Sequence, residues 1–407
     1  MIRFRTYVKP FLESGEYDSD FTEITKYVQS IGRISIDTDS SEYQIGVFRT
    51  SNFRLRLNNI EGLFSDVDQS ESIFRYRRAN SIIKITTEYY EDGPWCGVAE
   101  VDECYLSDEV EIFRGLLNDD SLLENAKDMF VDFICLGFES IFAEVETPFT
   151  SLSIGDLVSE AIYTCLNQVA ITDLLTVSLS NITPDQDQAL DAVAHFENST
   201  VKEVLDELLN ASNSVMYIQN STIYVKPRTA GVSVAYSFYG QASQGNIENI
   251  MDIKNISNGV NRTFNFLNWA DTTTNVADQD SLDLYGVKKR EISYQSFTNT
   301  TKRLNILNSI LSEFGNPKRE MDLLADLNYG TLDLNLLDRV EIDFPVVLYQ
   351  WENNPFPVCG LAVCGSSETT LPRGRWSLTI NTQDNWKIIK KELDINKQTI
   401  NFKLRLI

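Results

Sequence analysis

A single histidine, His195, bounds the chemistry open to this chain. A zinc hydrolase of HExxH type needs several histidine ligands on set spacings, and one histidine cannot supply them. A Ser–His–Asp triad needs only one, but no GxSxG-like nucleophile context is present. His195 lies in the ordinary run Leu190-Asp-Ala-Val-Ala-His-Phe and reads as a packed or surface residue. Asp185-x-Asp187-x-x-x-Asp191 opens like a calcium loop. The sixth position of that loop must be glycine for the sharp turn, and here it is Leu190, so the stretch reads as a solvated acidic loop. Asp278 and Asp280 have the same standing. Two carboxylates about 5 Å or 6.5–9.5 Å apart would serve a glycosidase, but with 59 acidic residues any chosen pair is arbitrary. Trp269, Tyr285, Trp351 and Trp376 are candidates for a sugar-binding face, against the commoner use of strand aromatics as core.

Cysteine use adds no reactive centre. Cys96, Cys104, Cys135, Cys165, Cys359 and Cys364 form no CxxC pair, so they read as reduced core residues. Cys359 and Cys364 are close enough to meet across a hairpin, but two ligands without a nearby histidine do not make a metal site. Arg75, Arg77 and Arg78 form one basic cluster, which reads as strand-edge charge or as a contact for an acidic partner. Seven Asn-x-Ser/Thr triplets occur, for example at Asn198 and Asn220. The start of the chain has no apolar segment of signal-peptide type, so these read as composition and not as glycosylation. No catalytic, cofactor-binding or metal-binding residue is assigned.

The elements that would have to hold such residues are mainly strands. Hydrophobic residues make up 43% and charged residues 23% of 407 residues, enough for several domains with a substantial core. The formal net charge of -24 argues against binding nucleic acid through its phosphates. No apolar run approaches the ~20 residues of a membrane span, and synthesis and folding in a cytoplasm are expected. Residues 21–65, 73–90 and 95–106 read as short alternating strands, and Ile112–Leu117 and Met129–Phe142 add two more. Gly62 closes the turn after Asn58 and can take positive φ. The texture changes near Thr147. Residues 153–166 are helical, 185–194 are polar and partly helical, and Asn198–Arg228 reads as a helix followed by a hairpin. Thr200 and Glu203 form a capping box. The stripe Val201, Val204, Leu205, Leu208 and Leu209 is expected to pack on the hairpin, whose tight connection is Gln219-Asn220-Ser221. From Ala230 strands return. Residues 260–269 alternate with Phe264, Phe266 and Trp269 on one side, 271–280 form a polar loop, and Thr300–Phe314 is a helix with Leu304, Leu307, Ile310, Leu311 and Phe314 inward. Strands are expected over 331–351, 358–364, 374–383 and 386–406, the last two forming a hairpin able to close a barrel. The expectation is a mainly β chain with an α+β insertion: a β-barrel-like domain over 1–146, an α+β domain over 147–228, and a second β-barrel-like domain over 229–407.

In order along the chain, Phe21-Thr-Glu-Ile-Thr25, Gly46 and Phe53-Arg-Leu-Arg-Leu-Asn-Asn-Ile-Glu-Gly-Leu-Phe64 resemble the opening domain of tail hub (baseplate hub) proteins of tailed bacteriophages. Phe113-Arg-Gly115 to Phe142 resembles the next strand pair of that family, and Asn198–Arg228 its helix–hairpin. Asp280-Ser281 with Tyr285-Gly286, and Leu332-Asp-Leu-Asn-Leu-Leu-Asp-Arg-Val340, resemble two later landmarks. Leu337 departs from the pattern, since a glycine is usual before Asp338-Arg339. The short C-terminal end leaves no room for the receptor-binding or lytic domains that some relatives carry. The resemblance implies a structural virion protein: a homotrimer at the distal end of the tail tube, with two barrel-like domains per chain forming a pseudo-sixfold ring. It implies as partners the distal tail or tail tube protein, the tape-measure protein and a tail-tip fibre or spike. It places the chain at the virion tail tip after assembly in the host cytoplasm. An acidic channel would let DNA pass without binding. The alternatives are a receptor- or glycan-binding tail-tip protein and a carboxylate-based glycosidase.

Overall fold

The computed structural model describes residues 2–12, 14–37, 51–65, 72–74, 77–89, 109–125, 129–229, 231, 233–239, 249–257, 263–270, 273–343, 347–351, 375–379 and 385–407. The fold is mainly β. The first part of the chain gives β1 (Ile2–Phe11), β2 (Thr22–Glu23), β3 (Val28–Ile31), β4 (Ile34–Asp37), β5 (Asn52–Asn58), β6 (Arg77–Tyr89), β7 (Val110–Asn125) and β8 (Phe130–Gly137). Seven of these form one antiparallel sheet in the order β2-β1-β6-β7-β8-β5-β3. Alternation fixes its inner face: Phe53, Leu55 and Leu57 are buried while Asn52 and Arg54 are exposed. Gly62 takes φ +69° in the turn beyond β5, as its place there requires. The strand expected to reach Phe142 stops at Gly137, and Phe138–Ala143 is a 3-10 turn. Ser140 Oγ donates to the Gly137 carbonyl at 2.9 Å and helps to hold that turn. The expected strand 95–106 lies outside the described residues.

The middle of the chain holds α1 (Val158–Leu166), α2 (Val169–Thr172), α3 (Val201–Ala211) and the hairpin β9 (Ser214–Gln219) with β10 (Thr222–Pro227). The Thr200–Glu203 capping box is present, with Thr200 N donating to Glu203 Oε2 at 2.8 Å and Glu203 N to Thr200 Oγ1 at 3.3 Å. The stripe Val201, Val204, Leu205, Leu208 and Leu209 is buried in one cluster with Met216, Ile223 and Val225 of the hairpin. Asn220 and Ser221 both take positive φ, +48° and +57°, the type I′ geometry that matches strand twist. Residues 185–193 are not helical. They run extended against α1, with Gln188 O accepting from Val158 N and Leu157 bridged to Ala189. The three aspartates there are drawn into tertiary bonds that a helix would break.

The rest of the chain forms β11 (Val234–Tyr239), β12 (Ile250–Ser257), β13 (Phe266–Trp269), β14 (Asn275–Ala277), α4 (Gln279–Tyr285), β15 (Lys289–Ile292), α5 (Thr300–Phe314), β16 (Glu320–Asp326), α6 (Tyr329–Asp333), β17 (Arg339–Asp343), β18 (Val347–Trp351), β19 (Arg375–Thr379), β20 (Asn385–Asp394) and β21 (Thr399–Leu406). A second sheet runs β11-β17-β20-β21-β16-β12, and β4 pairs with β20 beside it. The N-terminal segment thus donates a strand to the C-terminal sheet. The closing hairpin is β20–β21, so the stretch 386–406, expected as one strand, folds back on itself at residues 395–398. In β13 the buried residues are Leu267 and Trp269; Phe264 and Phe266 are half-buried, opposite to the expected phase. The expected polar loop 271–280 includes β14 and the start of α4, and the expected strand 331–351 is broken by α6 and by the turn before β17. Helix α5 has the expected bounds but buries Ile306, where Leu304 and Leu311 are only half-buried. The expected strand 358–364 lies outside the described residues.

Two buried clusters hold the chain together. One joins the facing residues of both large sheets, for example Leu55 and Phe133 with Trp386 and Phe402. The other joins the helix–hairpin segment to α5 and β13, through residues such as Leu205, Phe142, Leu267 and Ile310. Among the described residues no helix is long and apolar enough to cross a membrane.

Candidate functional site

The lone histidine has the partners of a triad but not its geometry. His195 Nε2 lies 3.3 Å from Glu207 Oε1 of α3 and 3.3 Å from Ser296 Oγ. A triad uses the two ring nitrogens separately, one for the acid and one for the nucleophile. Here both neighbours meet the same nitrogen. Ser296 donates its hydroxyl to Glu207 Oε1 at 2.6 Å and its amide to the same oxygen at 2.8 Å, and it is fully buried. Its proton is committed to the carboxylate, and substrate cannot reach it. The cluster ties α3 to the segment ahead of α5.

The carboxylates of the three aspartates of the calcium-like stretch are spent on two helices, Asp187 on α1 and Asp185 and Asp191 on α5. The Asp185 carboxylate accepts from Ser309 Oγ of α5, and its backbone amide donates to Ser214 Oγ at 3.0 Å. Asp187 takes the amide and hydroxyl of Ser159, both at 2.8 Å, at the start of α1. Asp191 takes the amides of Thr298 and Asn299 and the Lys302 ammonium, at the start of α5. Those bonds hold the Asp191 carboxyl below its ordinary range, against its burial. Among the described residues no group of three His, Cys, Asp or Glu is placed to hold a metal ion. Asp278 caps α4 through Ser281 N, and Asp280 is exposed in its first turn. Trp269 is core, 2% exposed, with the Arg303 guanidinium 5.1 Å from its ring centre. Tyr285 is exposed on α4, apart in burial from Trp269, and Trp351 and Trp376 lie in the ribbon β18–β19. Cys135 and Cys165 are buried free thiols, and burial pushes both up, Cys165 to about 12. Cys96, Cys104, Cys359, Cys364 and Arg75 lie outside the described residues; Arg77 and Arg78 begin β6.

The most elaborate polar constellation in the described chain is one that sequence periodicity hides. Glu320 of β16, Arg405 of β21, Lys387 of β20 and Arg339 of β17 stand directly opposite one another in register. Alternation places Glu320, Arg405 and Lys387 on the sheet face away from Met321, Leu404 and Trp386, which belong to the apolar core between the sheets. A strand face with such charges ordinarily meets water. Here the C-terminal end of α5 covers it, and Glu313 comes down into the row. Lys387 donates to Glu313 Oε1 and, at 2.8 Å, to the carbonyl of Arg228 at the exit of the hairpin. Arg405 lies 3.3 Å from the same Glu313 oxygen and 2.8 Å from Glu320 Oε1, and Lys318 reaches Glu313 Oε2 at 3.0 Å. Glu313, Glu320, Lys387 and Arg405 are all buried. Burial alone would raise the Glu313 carboxyl. The combined field of Lys387, Lys318 and Arg405 overrides burial and holds it down to about 2. Chemically the group is saturated: it positions α5 and the hairpin exit on the second sheet and offers no free base or nucleophile.

No family model matches the sequence, and no curated protein matches it. Solved structures do. The tail protein from Neisseria meningitidis MC58 superposes with a TM-score of 0.55 at 9% identity, covering 99% of this chain and 96% of that one. The 43 kDa tail protein of prophage MuSo2 from Shewanella oneidensis gives 0.51 at 8% identity, covering 98% and 97%. Prophage tail protein gp18 from Listeria monocytogenes EGD-e gives 0.51 at 10% identity, covering 98% and 94%. At these identities the likeness is one of architecture, and it runs the whole length of both partners. From end to end, then, the chain has the fold of prophage tail proteins.

Proposed function

We propose that this chain is a structural virion protein: a tail or baseplate hub at the distal end of a phage tail tube, acting by assembly and not by catalysis. The observation that carries this reading is the full-length match of fold to tail proteins, in which neither partner has a large domain left over. Three further observations support it. The lone histidine is spent on a structural contact, the aspartates of the calcium-like stretch are spent as caps and ties, and the charged row is sealed between elements. In this reading three copies close a ring with a central channel. The segments 1–146 and 229–407 supply the two sheets per copy that give pseudo-sixfold symmetry, and 147–228 stands outside or below. The ring joins the distal tail or tube protein to a tip fibre or spike and surrounds tape-measure protein and DNA. A surplus of 24 negative charges suits a channel wall that must not hold DNA.

The test is mass by light scattering across a concentration series, with electron-microscope class averages of any oligomer. Threefold rings with a central hole are expected. A protein that stays monomeric even with its neighbouring tail protein, and that binds cells or glycans by itself, would replace the hub reading with the tip-adhesin one.

A further inference from the structure

A cleft of about 100 Å³ opens between β4, β7, the 3-10 turn after β8, the tip of the β9–β10 hairpin, and the stretch around α6 with β20. We propose that this cleft is a binding site for a single alkyl cation, of the guanidinium or ammonium class, with Glu139 as its counter-ion.

The argument begins with charge. The fixed charges that line the cleft cancel. Arg114 is paired with Glu111 at 2.5 Å on β7. Lys391 of β20, whose ammonium donates to the carbonyls of Leu332 and Leu334, is opposed by Asp333. Glu139 is left over. It is 8% exposed, and its oxygens have only Ser51 Oγ as a side-chain donor, at 3.4 Å from each. That distance is at the limit for a hydroxyl donor, and one proton cannot satisfy two carboxylate oxygens. The carboxyl is held there by construction. A Cβ on Gly137 would lie 1.8 Å from Glu139 Oε2, so the glycine makes room for the folded-back side chain. Ionised, Glu139 accepts only from Ser51 Oγ and its own backbone amide, and the cleft then carries a net charge of -1 with no lining cation left over to pair with it. Burial accordingly pushes its pKa up to about 7. The rest of the lining is Gln219, Asn220, Ser221 and Asn335 together with apolar side chains such as Ile36 and Ile218, which suit the stem of an alkyl cation. The cleft has room for the end of one side chain and not for a drug-sized molecule.

Such a cation comes either from a free polyamine or from a lysine or arginine of a neighbouring copy of this chain. Only the second source rests on the assembly reading; the site itself does not. The experiment titrates methylguanidinium chloride into the whole chain, with isoleucine methyl signals of Ile36, Ile112 and Ile218 as reporters and sodium chloride at equal ionic strength as control. Saturable shifts at these three methyls are expected. Apparent affinity should fall about tenfold for each pH unit below 7, because binding to protonated Glu139 must release one proton, and should level off between 7 and about 8, the pH at which burial begins to discharge Lys391. In Glu139→Gln, an isostere, both the shifts and the pH slope should vanish. No saturable shift, a pH-independent affinity in the unaltered protein, or the same response in Glu139→Gln or to sodium chloride would overturn the site. Repeating the titration on ring and monomer separates the sources. Loss of uptake on assembly assigns the cation to a neighbouring copy, and equal uptake assigns it to a free amine. Failure to form rings would leave the monomer titration, and so the site, fully testable.

Discussion

Glu313→Gln isolates the buried charged row. The substitution keeps shape and removes one negative charge that faces Lys387, Arg405 and Lys318. Two routes give its cost. The carboxyl is held at about 2 against an ordinary 4.5, which at about 1.4 kcal/mol per pH unit corresponds to roughly 3 kcal/mol at neutral pH. Independently, removing one partner of a buried ion pair strands the other charges and costs roughly 3–5 kcal/mol. The two agree, so about 3–4 kcal/mol is expected in urea unfolding at pH 7. The sign of the pH dependence follows from a folded-state pKa below the unfolded one. The contribution is fully present above 4.5 and is lost as pH falls from 4.5 towards 2. The gap between wild type and Glu313→Gln should therefore shrink across that window. A variant within 1 kcal/mol of wild type at pH 7, or a gap of unchanged size at pH 2.5, would refute the assignment of Glu313 as the ionised centre of the row.

Glu139 should behave in the opposite sense. Its folded-state pKa of about 7 lies above the ordinary 4.5, so its contribution is full below 4.5 and lost as pH rises through 7. Wild type should gain about 3 kcal/mol relative to Glu139→Gln between pH 7.5 and 4.5, read from paired urea titrations; a flat difference would contradict the burial argument. Leu337 takes φ +70° and is 7% exposed. Leu337→Ala loses the packed side chain and keeps the strained backbone, whereas Leu337→Gly loses the side chain and relieves roughly 1–2 kcal/mol of left-handed strain. That relief should offset or exceed the usual ~1 kcal/mol penalty of glycine against alanine. Glycine should thus be at least as stable as alanine here, and an alanine variant 1 kcal/mol the better of the two would show that the strain is absent.

What was legible in the sequence divides along a physical line. Local signals carried through. The capping box at Thr200 and Glu203, the two-residue turn at Asn220-Ser221 and the periodicity of Thr300–Phe314 each depend on neighbours a few residues away. Leu337 also gave a true signal. The departure from the family's glycine falls on a backbone position that still has glycine's conformation, stabilised by the Leu337 N to Ile388 O bond of 2.8 Å. What failed depended on covering. Residues 185–194 read as partly helical, but Asp187 takes the Ser159 amide in the first turn of α1 and Asp191 takes the amides just ahead of α5, and the segment must stay extended to reach both. Lys387, Glu320 and Arg405 occupy the polar phase of alternating strands and read as solvent-facing. Only the packing of α5 over that end of the sheet buries them. The pairing of β4 with β20, more than 350 residues apart, has no local signature at all.

The burial of that row also argues for what the fold is built to resist. Replacing a buried ion pair by apolar side chains is often neutral or stabilising, so stability alone does not explain four buried charges. Register does. The hairpin β20–β21 and strand β16 carry apolar residues on the core face, and a one-residue slip would turn Arg405 and Lys387 into the core between the sheets. It would also leave Glu313 without its partners. The charges therefore penalise the slipped pairing far more than they favour the native one. The same row fixes α5 and, through the Arg228 carbonyl, the hairpin exit to the sheet that β4 of the N-terminal segment joins. Sliding any one of these elements breaks contacts to the others. In the proposed ring, a subunit held in this way would meet its neighbours as one body, and an error in the angle between its sheets would be repeated at every interface.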